Sequence, residues 1–329
     1  MGWWQVSADT LARSRFVISP LAEATASFIT LARGTAAHPG ERAWLDAHLP
    51  GYRDRLAADP VTAELVRAGL GPRWIAALFT IPPGGTRGEE TFAEEVARIR
   101  EMPLDAALAD LAIDLGGVVP PQLRDHDLPG RAAALLEWIW AQTVAPYWPQ
   151  RRRVLEADIV ARTASLAEGG WATALGGMRP GMRWLGEGRL QINAYDYPPR
   201  EISGAELFFV PVTLGSNGWV AWDEPRRYAV MYPCCGVLAQ PEGLPAADPL
   251  GALLGPGRAA ILILLDSPKS TTQLVALTGQ ALGSVGRHLK VLLQAGLVTR
   301  RRAGRSVLYY RTAAGDTVVS ASGDASKNR

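Results

Sequence analysis

Apolar residues in the first 175 positions recur at intervals of three and four. Leu21, Thr25, Phe28 and Ile29 share one stripe, Phe92, Val96 and Ile99 a second, and Leu135, Trp138 and Ile139 a third. That spacing predicts amphipathic helices. Prolines at 20, 60, 72, 82, 83, 103, 120, 121 and 146 fall between the stripes, so several helices should be joined by short loops. Residues 149–170 form the clearest single helical stretch, closed by the pair Gly169-Gly170. Past Leu175 the period shortens to two. Leu190, Ile192 and Ala194 alternate with Gln191, Asn193 and Tyr195, and Gly186-Glu187-Gly188 separates them from Met182–Leu185, the pattern of a hairpin. Leu207–Leu214 and Arg227–Tyr232 read as further short strands, with Pro211 implying an edge or a bulge. A turn-rich stretch at 240–250 follows.

The last eighty residues carry a different pattern. Gly255-Pro256-Gly257 opens a helix through Leu265, where proline is tolerated because a first-turn N–H has no helical partner. Ser270-Thr271-Thr272-Gln273 has capping-box spacing and should start a short helix through Leu277. Gly279 provides a turn. The next helix, about Leu282–Gln294, puts Val285, Leu289 and Leu292 on a buried stripe and leaves Ser284, Arg287, His288 and Lys290 on other faces. Gly296 should end it with a left-handed cap, and residues 297–302 should pair with 305–311 as a hairpin across Ala303-Gly304. Two helices, a tight turn and an arginine-loaded hairpin outline a winged helix-turn-helix. The fold expected for the whole chain is therefore α+β. Its expected divisions are a helical part at 1–178, a small antiparallel β part at 179–245, a winged helix-turn-helix at 250–315 and a disordered tail at 316–329.

Charge sharpens this picture. The chain has a net charge of +2, but residues 251–329 hold 11 Lys and Arg against 3 Asp, whereas residues 1–250 hold 23 against 29 acids. A small basic module attached to an acidic body points to a polyanion as the partner of the basic end alone. Arg300, Arg301, Arg302 and Arg305 load the hairpin, where positive charge suits phosphates or a narrow minor groove. All 11 Trp lie in the acidic part. No apolar run reaches the roughly 18 residues that a membrane span needs, and the N-terminus lacks the basic start and apolar middle of a signal peptide. A cytoplasmic protein with no membrane partner is expected.

Residues 272–279, 283–305 and Leu308-Tyr309-Tyr310 together resemble the winged helix of the ArsR/SmtB transcriptional regulators over about residues 255–315. The earlier segments Arg15–Leu21, Ala145–Trp148, Leu155–Asp158 and Leu166–Gly170 are similar to the uncharacterised domain that actinobacterial members carry ahead of the winged helix. The resemblance implies a homodimer that represses or otherwise regulates a promoter on double-stranded DNA, repression being the expected mode. It implies nothing firm about a ligand of the long N-terminal domain, which would serve dimerisation, sensing of an unidentified small-molecule effector, or both. The DNA-contacting set expected is Thr271, Thr272, Gln273, Gln280, Gly283, Ser284, Arg287 and His288 with Lys290. On the wing it is Arg300, Arg301, Arg302, Arg305 and Tyr309.

This chain departs from the family pattern where Ala281, Gly283 and Gly286 replace serines, which shifts base readout towards Arg287 and Gln280. Arg287 can pair bidentately with guanine; Gln280 can contact adenine or a phosphate. His288 either reaches a phosphate or packs against the wing. The two metal sites usual in such regulators are missing their ligands, since 274–278 lacks thiol and imidazole and no His follows Tyr310. No metal and no cofactor are expected. Cys234-Cys235 is read as two small buried residues at a strand end, the alternative being a redox or soft-metal sensor. The His residues of the acidic part, 38, 48 and 126, are scattered, and there is neither a phosphate loop nor a nucleophile elbow. No enzyme is expected. The competing readings are a winged helix that binds another protein, and an enzyme-like small-molecule domain fused to a regulator.

Overall fold

The computed structural model describes residues 2–36, 39–84, 90–195, 197–234, 249–266, 268–278, 280, 282–303 and 306–325. The chain divides into two compact units, Met1–Trp148 with Leu175–Pro233, and Pro149–Ala174 with Cys234–Arg329.

The first unit opens with β1 (Trp3–Gln5), α1 (Ala8–Arg13) and β2 (Arg15–Phe16), then runs through α2 (Pro20–Arg33), α3 (Pro39–Ala57) and α4 (Pro60–Gly69). Next come α5 (Phe92–Arg100), α6 (Leu104–Asp114), α7 (Pro121–Arg124) and α8 (Leu128–Ile139). Prolines 20, 60 and 121 sit in the first turns of their helices, as the punctuation predicts. The three apolar stripes are core positions: Leu21, Phe28, Phe92, Val96, Ile99, Leu135 and Ile139 are all buried. Helix α2 is buried almost all round, carrying Glu23 and Thr25 with it. Burying a carboxylate is costly unless donors surround it. Glu23 meets that condition by accepting both the N–H and the hydroxyl of Thr213.

After α9 (Trp148–Leu175), most of which belongs to the second unit, the first unit resumes as β3 (Arg183–Gly186), β4 (Arg189–Gln191), β5 (Arg200–Glu201), β6 (Glu206–Val212), β7 (Trp219–Asp223) and β8 (Arg227–Pro233). The predicted hairpin forms between β3 and β4, with Glu187 at φ 53 in its tip. The expected small antiparallel sheet is replaced by two four-stranded mixed sheets, ordered β3-β4-β1-β5 and β2-β6-β8-β7. In the second of these, β6 and β8 run parallel, Glu206 opposite Arg227 through Val212 opposite Pro233. Their direction follows from β7, a strand not among those expected: it reverses the chain between them and pairs antiparallel with β8 at the edge. Both central strands are continuously buried, Leu207–Val212 and Tyr228–Tyr232, which is how parallel strands covered on two faces read. The N-terminal residues, expected to be helical, also enter the sheets, β1 beside β4 and β5, and β2 beside β6. Strand β2 reaches only Phe209, so Pro211 lies past its end, in the edge-like setting its missing N–H requires.

In the second unit, α9 is interrupted at Gly170, φ 66, as the glycine pair predicts. There follow α10 (Pro249–Leu254), α11 (Pro256–Leu264), β9 (Lys269–Ser270), α12 (Thr271–Thr278), α13 (Leu282–Gln294), β10 (Val298–Ala303), β11 (Ser306–Arg311) and α14 (Ala313–Ala325). Ile261, Leu262, Leu274, Leu277, Val285, Leu289, Leu292 and Val298 make one core, joined by Val154 of α9. Strand β9 adds a third member to the wing by pairing with β11. Where composition predicts disorder from residue 316, the structure continues as α14, whose Val318 and Val319 pack against that core. The apolar pair outweighs the small polar residues around it. Most of the turn-rich 240–250 stretch, Cys235 and residues 326–329 lie outside the described residues. Cys234 is half-buried and packs against the same core. Among the described residues no helix is long and apolar enough to cross a membrane.

Candidate nucleic-acid interface

The predicted capping box is present at the start of α12. The Ser270 N–H donates to Gln273 Oε1 at 2.8 Å, and the Gln273 N–H donates to Ser270 Oγ at 3.2 Å. This fixes where the first helix of the pair begins, and it also engages a residue expected at the DNA. Gln273 is buried, with its amide turned to the cap, so it does not belong to the exposed contact set. Thr271 beside it is half-buried; the side chain of Thr272 lies outside the described residues. At the other end the hydroxyl of Thr278 donates to the Leu274 carbonyl at 2.7 Å, closing a helix of eight residues.

Helix α13 buries Val285, Leu289 and Leu292 as its period predicts. Its polar residues divide into two rows. Gln280, just ahead of the helix, lines up with Ser284 and His288 in a half-buried row: Ser284 Oγ donates to Gln280 Oε1 at 3.2 Å and lies 3.3 Å from His288 Nε2. With the serine proton directed to Gln280, the imidazole completes the chain as an Nε2–H donor. This row faces the first turn of α11, where a Cβ on Gly257 would lie 2.7 Å from His288 Nε2 and 3.2 Å from Gln280 Nε2. Glycine at 257 is what lets the two helices approach. Burial pushes the His288 pKa below its usual value, and the positive charges of Arg258 and Arg287 add to the effect. His288 thus lies beside the first turn of α11, a neighbour that the sequence did not suggest.

The second row is Gly283, Gly286, Arg287 and Lys290, all exposed. A Cβ built on either glycine meets nothing within 4 Å, so the row is a strip of open backbone with two cations at its end. Neither Arg287 nor Lys290 has an ion pair among the described residues. A bare strip lets helix backbone come close to a partner surface, but it offers few side-chain atoms to read one.

Gly296 caps α13 at φ 68, and the Leu297 N–H donates to the Leu292 carbonyl at 3.0 Å. The hairpin then pairs Arg300 with Tyr309, Arg301 with Leu308 and Arg302 with Val307. Successive residues of a strand point to opposite faces, so the arginines separate. Arg300 and Arg302 share the face that buries Val298 and Tyr309, while Arg301 is on the outer face with its guanidinium 5.8 Å from the Tyr310 ring centre. Tyr309 itself is only 9% exposed and belongs to the core, so it is a lining residue and not a projecting contact. Arg311 is tied at the base of the wing to Asp316 at 2.9 Å. Arg305 lies outside the described residues.

Between wing and helix lies a cleft of about 540 Å³ lined by Gly286, Lys290, Leu293, Gln294, Arg300 and Tyr309. Lys290 and Arg300 give it a positive rim on both sides, suited to a phosphate chain lying along the bare face of α13. Sequence reasoning named both cations without joining them, because their meeting depends on which face of β10 turns inward. Gly286 was noticed only as a lost serine. Arg258, whose charge in the first turn of α11 acts on His288, was missed; its only signal was its place after Gly255-Pro256-Gly257.

Residues 255–300 match the family model described as bacterial regulatory protein, arsR family. The match supports an ArsR-type helix-turn-helix in this segment, the DNA-binding module of a family of transcriptional regulators. The match spans α11, α12, α13 and the start of the wing and leaves residues 1–254 outside it. No curated protein and no solved structure matches the chain.

Proposed function

With an ArsR-type helix-turn-helix as its reading head, we propose that the chain is a sequence-specific transcriptional repressor that binds operator DNA as a homodimer. Helix α13 of each protomer enters a major groove with its Gly283–Gly286 strip towards the duplex, and half-sites are about one helical turn apart. Arg287 reads base edges; Lys290 and Arg300 hold one phosphate strand in the cleft between helix and wing; Arg301 and Arg302 extend the positive surface along the flanking backbone. The unit formed by Met1–Trp148 and Leu175–Pro233 sets the dimer geometry, senses an effector, or does both.

The observation that carries this reading is the convergence of Arg287, Lys290 and Arg300 on one face of the winged helix with no carboxylate partner among the described residues. A salt bridge would have spent those charges internally; left open, they suit a polyanion. Genome-wide mapping of sites bound by the full chain tests the proposal. Recovery of a shared, two-fold symmetric sequence upstream of genes supports it. Uniform coverage without a motif overturns the sequence-specific reading.

A further inference from the structure

The first unit contains an open cleft of about 910 Å³ between α5, α6 and the strand pair β7–β8. Its volume is that of a small-molecule site. One wall is the outward stripe of α6, where Ala106, Ala109 and Ile113 are exposed, Ile113 by 59%. Another is a corner of two indoles, Trp74 and Trp222, edge to face at 5.6 Å and 74°. An apolar helix face and an indole corner open to solvent call for an apolar occupant.

The charges decide its sign. Three arginines line the cleft, and each is already matched: Arg98 to Glu90 at 3.1 Å, Arg227 to Asp223 at 2.6 Å, and Arg200 to Glu224. Two further carboxylates, Glu101 and Asp110, line it with no cationic partner among the described residues. Asp110 accepts the Ala77 N–H at 2.6 Å. Burial nevertheless holds its pKa above the ordinary aspartate value, and no neighbouring cation counters the shift. Trp222 already attracts one positive group, the Arg200 guanidinium 4.3 Å from its ring centre. The unspent charge of the cleft is negative and its surface is aromatic and aliphatic.

We propose that this cleft binds a lipophilic organic cation, its apolar body against the indole corner and the α6 stripe and its positive charge facing Glu101 and Asp110. An anionic aromatic ligand would have to compete with three carboxylates for the guanidiniums and would be repelled by two more. The site would give the first unit an effector of defined chemistry, yet binding is read without DNA, so its failure leaves the operator proposal standing.

Tetraphenylphosphonium and tetraphenylborate have nearly the same shape and opposite charge, and calorimetric titration of the full chain with each tests the inference. The phosphonium should bind and the borate should bind at least about tenfold more weakly. Glu101→Gln with Asp110→Asn should weaken the phosphonium by about tenfold, and asparagine keeps an oxygen to accept the Ala77 N–H. Should the double variant fail to fold, Glu101→Gln alone alters an exposed side chain and should still weaken binding by about threefold. Absence of phosphonium binding, equal binding of the two ions, or unchanged affinity in the folded carboxamide variants overturns the proposal.

Discussion

Gly286 is the position where stability and recognition can be separated. It is the fifth of thirteen residues in α13, its φ is not in the left-handed range, and an added Cβ meets nothing within 4 Å. Glycine in a helix interior costs about 1 kcal/mol relative to alanine, because an unfolded glycine has more conformations to lose. With no contact made or broken, Gly286→Ala should return that whole amount to the helix. Local opening of α13 would then be about fivefold rarer, and hydrogen–deuterium exchange of its peptides should slow by that factor while peptides from α2 are unchanged. Gly286→Leu gains similar helix propensity and projects a side chain from the bare strip. It should slow exchange as the alanine does, yet reduce DNA affinity by about tenfold if the strip lies against the duplex. Unchanged or faster exchange in Gly286→Ala would refute the open-helix argument. A leucine variant that binds DNA as well as the parent would refute the placement of the strip.

The division of labour between helix and wing makes a second prediction: Arg287→Ala relaxes sequence preference, whereas Arg300→Ala weakens all sequences alike and lowers the salt slope by about 1; competition binding with operator and scrambled duplexes checks it, and equal loss of specificity from both contradicts it. Ser270→Ala removes the cap of α12 and should cost about 1 kcal/mol, seen as faster exchange at the start of that helix; no change would show that the capping box contributes nothing. In the first unit, burial raises the Glu95 pKa to about 7 from an ordinary 4.5, against the opposing donors Ser19 Oγ–H and Leu21 N–H. Because the folded protein holds this proton more tightly than the unfolded chain, the contribution is fully present below pH 4.5 and is lost as pH rises through 7. The span corresponds to about 3 kcal/mol. Glu95→Gln should therefore flatten the decline in stability between pH 5 and 8, as measured by urea denaturation of variant and parent; identical pH profiles would contradict it.

What could be read from the sequence was whatever local chemistry decides. The Ser270–Gln273 box, the buried stripe of α13 and the cap at Gly296 are set within a turn or two of chain, and each was legible. The arginine-rich hairpin beside the helix pair was legible too, as a composition signal. Its arrangement was not. That Gln273 and Tyr309 are buried, and that His288 lies beside Gly257, depends on helix-to-helix approach across dozens of residues. The sheets of the first unit failed for a related reason. Alternation finds half-buried strands, but β6 and β8 are buried on both faces and β7 intervenes unseen, so a pair of neighbours was read as antiparallel when its strands are parallel. The tail was misread because composition weighs polar residues equally, whereas Val318 and Val319 need only one apolar surface to anchor a helix.

The central claim is that the open cations of the helix and wing meet DNA phosphates. Titrating the full chain with duplex DNA over a range of salt concentrations tests it most directly. If some six phosphates are neutralised in the complex, log affinity should fall against log salt with a slope near −5. A slope near zero, or no binding at low salt, would contradict the account.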